Sequence, residues 1–149
     1  MIYIEQLICA FFGTLGFTIL FNVHKKFYLT CGLTGMFGWL VYMIVVQFST
    51  KYVAGMFGTM AVLMLSRIFA VYKKCPSTVF VISGIFPLLP SPNIYYTAYY
   101  LVTNNLDLAG QNAVASLKFS VAMVIGITII SAIPNKYFHK SILEVKKRM

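Results

Sequence analysis

The chain has 149 residues, 60% of them hydrophobic and only 10% charged, with a net charge of +9. A soluble domain carries about 25% charged residues, so the composition excludes the soluble globular class and indicates an integral membrane protein with the lipid bilayer as its first partner. The basic residues lie between hydrophobic runs and in the C-terminal tail, as in cytoplasmic loops, so nucleic acid is not an expected partner.

The first apolar segment covers about residues 2–21. No positive region precedes it, and His24, Lys25 and Lys26 follow it, which fits a retained helix with its N-terminus outside rather than a signal peptide. Gly13 and Gly16 would let a neighbouring backbone come close. A second span covers about residues 28–48 and carries Gly32, Gly35 and Gly38 at three-residue spacing, followed by Trp39 and Tyr42. Such a stripe serves either tight helix packing or the lining of a narrow pathway.

After a short turn at Lys51, a third span covers about residues 52–72. Gly55 and Gly58 repeat the small-residue pattern, and Arg67 lies about one turn from the cytoplasmic end. That arginine either snorkels or pairs with a partner subunit, or else it has a substrate or coupling role.

The fourth segment, about residues 78–102, holds Pro87, Pro90 and Pro92 within six residues. Proline has no backbone donor and clashes with the preceding turn, so a continuous helix cannot pass. Irregular backbone at membrane depth is tolerated only where protein or a water-filled cavity surrounds it, and in transporters such breaks mark the substrate site. With Gly84, these prolines define an expected broken helix with two flanks of about 11 residues, roughly 16 Å each. Ser91 is the expected N-cap of the second half, Pro92 its first helical residue and Asn93 the next. That terminus would aim free N–H groups and the positive helix end at the membrane midplane, where an anion such as a carboxylate is favoured. A merely kinked structural helix is the alternative. Tyr95 and Tyr96, one turn past the break, are placed to offer a hydroxyl to a ligand, while Tyr99 and Tyr100 suit an interfacial belt.

A polar loop at residues 103–107 precedes a fifth span, about residues 112–133, that ends at Pro134. Lys118 falls about 9–10 Å below its outer end, where it either snorkels or faces a cavity. The expected organisation is a five-span domain at 1–134 and a basic cytoplasmic tail at 135–149. The inner side then holds Lys25, Lys26, Lys73, Lys74 and five tail residues (Lys136, Lys140, Lys146, Lys147 and Arg148), while the outer loops hold Lys51 alone. This asymmetry predicts N outside and C inside in the cytoplasmic membrane.

The only carboxylates are Glu5, Asp107 and Glu144, none deep in a span. His24 and His139 belong to the cytoplasmic edge, and Cys9, Cys31 and Cys75 are scattered, without metal-ligand spacing. No catalytic constellation, metal site or cofactor is expected, and the chain is not read as an enzyme. Proton coupling through a buried acid would need another chain, and five spans is an odd number for paired repeats. Both features point to a partner subunit.

Several stretches together resemble the threonine/serine exporter family, specifically its small five-span subunit or C-terminal half. They are Phe21-Asn22-Val23, the glycine-rich run from Cys31 to Trp39, and Ser66-Arg67-Ile68-Phe69-Ala70. Lys74-Cys75-Pro76-Ser77-Thr78-Val79-Phe80 and Gly84-Ile85-Phe86-Pro87-Leu88-Leu89-Pro90 with Tyr95 or Tyr96 complete the set. The resemblance covers nearly the whole chain. It implies an all-α helical bundle that exports small amino acids, together with a larger subunit bearing a soluble N-terminal region and five more spans. A related pair is associated with succinate. The sequence departs from the family pattern at His24, where proline is usual, at Ser91-Pro92, where glycine is usual, and at Arg67, where many relatives carry an acid.

The resulting expectation is a subunit of a secondary exporter for threonine/serine-like substrates. Ser91 and Asn93 would hold the substrate carboxylate, Tyr95 or Tyr96 would add a hydroxyl, and Asn22 would support the cytoplasmic gate. The alternatives are a non-transporting assembly subunit, an exporter of a small dicarboxylate such as succinate, and a homo-oligomeric channel.

Overall fold

The computed structural model describes residues 2–133, which contain helices and no strand. Six α-helices follow in order: α1 (Ile2–Leu20), α2 (Tyr28–Val46), α3 (Lys51–Lys73), α4 (Thr78–Ile85), α5 (Ser91–Val102) and α6 (Leu106–Ser131). Short 3₁₀ turns lie at Lys25–Phe27 and Phe86–Leu88. Four of these elements are long and apolar enough to cross a membrane, and the pair α4–α5, bent by 57°, makes five if it counts as one span. The expected all-α helical bundle is present. The basic tail and Pro134 lie outside the described residues.

The starts and ends of α1, α2 and α3 fall within two residues of the hydropathy-based expectation. The last helix differs: it begins at Leu106, six residues before the expected start at 112. Asn105 accepts the Leu108 N–H at 3.5 Å, and Asp107 sits in the first turn, where a negative charge complements the helix dipole. Polar residues that read as a loop are thus a helix start. Lys118 consequently lies twelve residues into α6, roughly 18 Å from its first residue, rather than near the top of a shorter helix.

Three helices end on a left-handed residue that is not glycine: Asn22, Lys74 and Asn104. At Asn22 the amide donates to Ile19 O at 2.9 Å and the Val23 amide to Thr18 O at 3.2 Å, a Schellman pair that satisfies the last carbonyls of α1. Asn22 is therefore a helix terminator. Asn22→Val should lower stability by about 1–2 kcal/mol through the left-handed penalty, whereas Asn22→Gly should be neutral. Unfolding curves in detergent would check both.

All ten glycines lie within helices, none at positive φ. Lipid tails are as apolar as side chains, so membrane helices associate through close packing rather than water exclusion. Most of these glycines supply that closeness. A Cβ at Gly32 would meet the Phe11 ring, at Gly35 Thr14, at Gly38 Val62, and at Gly55 the Phe119 ring. At Gly126 it would lie 2.6 Å from Met56 O, so α3 and α6 touch backbone to backbone. The stripe Gly32–Gly35–Gly38 thus faces side chains of α1 and α3. Gly13 and Gly16 differ, because nothing lies within 4 Å of a Cβ built there. Their expected close approach is not made within the described chain.

Helices α3 and α6 run parallel, with Gly55 near the start of α3 against Phe119 midway along α6, and Arg67 against Ser131 and Ile133 at the end of α6. Helix α4 packs against α1, α2 and α3, whereas α5 packs against α6 and no other element. The buried hydroxyls of Thr14, Thr18, Thr34, Thr59, Ser66 and Ser83 each donate to a carbonyl of the preceding turn. The interior between α1, α2, α3 and α4 therefore holds polar atoms that are already satisfied.

Candidate functional site

The break in the fourth segment is built as follows. Helix α4 ends at Ile85, and Pro87 sits in the following 3₁₀ turn. Leu89 is extended (φ −61°, ψ 141°), as the residue before a proline must be. Pro90 (φ −76°, ψ 47°) forms a tight turn in which the Ser91 amide donates to Leu89 O at 2.8 Å, close to an inverse γ-turn. The Ile94 amide then donates to Pro90 O at 3.2 Å and starts α5. Pro90 is therefore the N-cap, Ser91 the first helical residue and Pro92 the second, one step earlier than the sequence suggested.

That shift reduces the donors at this terminus. The Ser91 amide is used, Pro92 has none, and the Ser91 side chain makes no capping bond. The Asn93 amide is the first-turn donor with no acceptor among the described residues. Gly84 takes no part in the break. It is buried inside α4, where a Cβ would lie 3.0 Å from Thr34 and Val62, so it serves packing.

At the break Leu88 turns inward and is 2% exposed, seated on Gly38 and Gly58. Gly58 lies seven residues from Lys51 and fifteen from Lys73, roughly 10 and 22 Å along α3. Gly38, the other seat of Leu88, lies near the middle of α2.

Beside it lies a cleft of about 440 Å³, within the usual range for small-molecule sites. Pro87, Pro90, Pro92, Ser91 and Asn93 line one wall, Trp39 and Tyr42 of α2 another, with Phe119 of α6 and Lys51 of α3 completing it. Trp39 stacks on Tyr42 at 5.1 Å. Its Nε1–H is buried without an acceptor, the one such side-chain group among the described residues. Toward the other end of the bundle the rings close up. Phe86 stacks on Phe17 at 3.9 Å, and the fully buried Phe80 meets Phe27 edge-on at 5.8 Å and Phe69 at 6.2 Å.

The expected site residues are only partly assembled here. Ser91 and Asn93 reach the cleft. Tyr95 and Tyr96 do not: they are 64% and 45% exposed and stack along the outside of α5 with Tyr99 and Tyr100. Ser91 and Asn93 lie in the first turn of α5, beside the cleft, whereas Tyr95 and Tyr96 lie a turn further along the helix. Asn22 is at the far end of α1 in its terminating turn. Arg67 donates from Nη1 to Ile133 O at 2.5 Å and from Nη2 to Ser131 O at 3.2 Å, at the C-terminal end of α6. Lys118 is exposed on α6 and does not line the cleft. Cys75, between α3 and α4, keeps its proton because burial pushes its thiol up, against the opposing pull of Lys73.

Sequence reading missed Lys51, Trp39 and Tyr42. Lys51 was counted only as a topology marker. Its position at the very start of a helix, where a cation is disfavoured, was the available signal.

Comparison with protein-family models matches residues 6–133 to the Threonine/Serine exporter, ThrE, family. The chain belongs to the threonine/serine exporter family. This accounts for the multi-pass architecture and makes the chain a domain of a membrane transporter family, not of an enzyme family. Comparisons with curated proteins and with solved structures gave no match. For a threonine/serine exporter domain, a cleft at a broken helix is the expected kind of site, since discontinuous helices hold the substrate in many transporters.

Proposed function

We propose that the chain is a subunit of a secondary transporter that exports threonine- or serine-like amino acids across the cytoplasmic membrane, with its N-terminus outside. A larger exporter chain with a soluble N-terminal region and five spans is its partner. The observation that carries this reading is the break at Leu89–Pro90 with the cleft beside it, where Ser91 and the Asn93 amide meet two aromatic rings in one site. The Asn93 amide and side chain, with the Ser91 hydroxyl, bind the substrate carboxylate. The phenylalanine rings at Phe17, Phe86, Phe80, Phe27 and Phe69 close the path toward the Lys73–Lys74 end. This form is then the outward-facing arm of an alternating-access cycle.

A partner is supported by the faces left open. Gly13 and Gly16 have no neighbour, no residue of α5 is buried, and the described carboxylates, Glu5 and Asp107, both sit in first turns of helices. A coupling acid in the pathway would come from the other chain.

The test is export of labelled threonine, serine and succinate from cells expressing this chain alone and then with its candidate partner. Amino-acid flux that needs both chains supports the proposal. Flux from this chain alone would point to a homo-oligomeric channel or carrier, and flux of succinate only would change the substrate class. Pro90→Ala and Asn93→Ala should lower export at least tenfold while leaving membrane insertion unchanged. Silence of both variants would favour the reading of a non-transporting assembly subunit.

A further inference from the structure

Lys51 is placed against three local preferences. It is the first residue of α3, where the positive end of the helix dipole disfavours a cation. It is the only lysine or arginine in the described loops and helix starts at its end of the bundle. No carboxylate pairs with it among the described residues, and the acidic residues there, Glu5 and Asp107, belong to α1 and α6. Yet it lies on the wall of the cleft that also carries Asn93 and the Trp39 side chain. Lys51, which is exposed, and Asn93 thus line one cleft with Trp39, and the apolar walls of a cleft strengthen a charge contact made against them.

We propose that Lys51 is the specificity-determining cation of this cleft: it pairs with the carboxylate of the substrate, and Asn93 holds the same ligand. The proposal rests on the exporter reading for the identity of the substrate, but binding itself can be measured without transport. An anionic lipid headgroup offers similar chemistry, and the test separates the two.

Trp39 is the only tryptophan of the chain, so its fluorescence reports on the cleft directly. The full chain, purified and placed in bilayer discs of zwitterionic lipid, is titrated with threonine, serine and succinate, and with threoninamide, which lacks the carboxylate. The expected result is a saturable change with at least one of the carboxylates and none with the amide. Lys51→Ala should weaken that binding at least tenfold, Lys51→Glu should abolish it, and Lys51→Arg should retain most of it. Thermal stability of Lys51→Ala should equal or exceed that of the parent, because a cation is removed from a helix start. A response to no carboxylate, equal response to carboxylate and amide, or unchanged binding in Lys51→Ala would each overturn the proposal. So would a response produced only by adding anionic lipid to the discs. Carboxylate binding that depends on Lys51, with no export from cells that also express the partner chain, would uphold this inference while refuting the exporter reading.

Discussion

Leu88→Ala is expected to lower the unfolding free energy by about 2–5 kcal/mol, the range for removing a buried leucine side chain, and to abolish export. Leu88 is nearly fully buried at the tip of the break, and its two methyl groups lie against Gly38 and Gly58, one on each of the two central helices. A Cβ at Gly58 would sit 3.1 Å from a Leu88 methyl and 3.2 Å from Gly38 O. Gly58→Ala alone should therefore also be destabilising, because something must move and part of what is in the way is backbone. The two changes share one volume, so their effects should not add. With Ala at 88 the space for a Cβ at 58 is vacated, and the double variant should be more stable than the sum of the singles predicts by at least 1 kcal/mol, within the range for contacting residues. The remaining contact with Gly38 O keeps the rescue incomplete. Unfolding in mixed micelles measures the cycle. Additivity to within about 0.5 kcal/mol, the behaviour of independent sites, would show that Leu88 is not seated as described.

This pairing explains why the broken segment needs glycines elsewhere. Pro87 and Pro90 end one helix and start another, but a break alone leaves a disordered corner. Gly38 and Gly58 bring α2 and α3 close enough to grip the corner from both sides, and Phe86 is held by Phe17. The floor of the cleft is thereby fixed, and Asn93 is presented at a constant position relative to Lys51 and Trp39. The glycines, distant in sequence from the prolines, act on the same structure.

The spans were legible because twenty apolar residues in a row have one physical use, and the break was legible because three prolines in six residues have no helical alternative. What remained hidden depends on contacts across the sequence. Arg67 could be read as snorkelling or as functional because its acceptors, Ser131 O and Ile133 O, are backbone atoms more than sixty residues away. Tyr95 and Tyr96 were placed by distance from the break, but the cleft reaches only the first turn of α5, at Ser91, Pro92 and Asn93, and the tyrosines a turn further on stand exposed. The start of α6 was hidden by polar residues that cap a helix as readily as they form a loop. Lys51 was hidden by its own visibility: a charge in a short turn between spans has a topological explanation that leaves nothing further to ask.

Arg67→Ala is expected to destabilise the bundle by about 2 kcal/mol, from the loss of two charge-assisted hydrogen bonds at a partly exposed site. The last carbonyls of a helix have no partner in their own helix, and in a bilayer water is not always at hand to take its place. The guanidinium of Arg67 reaches one of them, Ser131 O, and also Ile133 O just beyond the helix, and brings a positive charge to the negative end of α6. It thereby ties the end of α6 to α3, far along the bundle from Lys51. Lysine cannot reproduce a planar fork that serves two carbonyls at once, so Arg67→Lys should recover only part of the loss, and Arg67→Met, which keeps the apolar stem, no more than a small part. Hydrogen exchange should speed up first in the last turn of α6, at residues 128–131, and leave α2 unchanged. Substrate binding at the cleft should keep its affinity in Arg67→Lys, because the arginine acts on a helix end rather than on a ligand. A change in substrate selectivity without loss of stability would instead place Arg67 in the pathway.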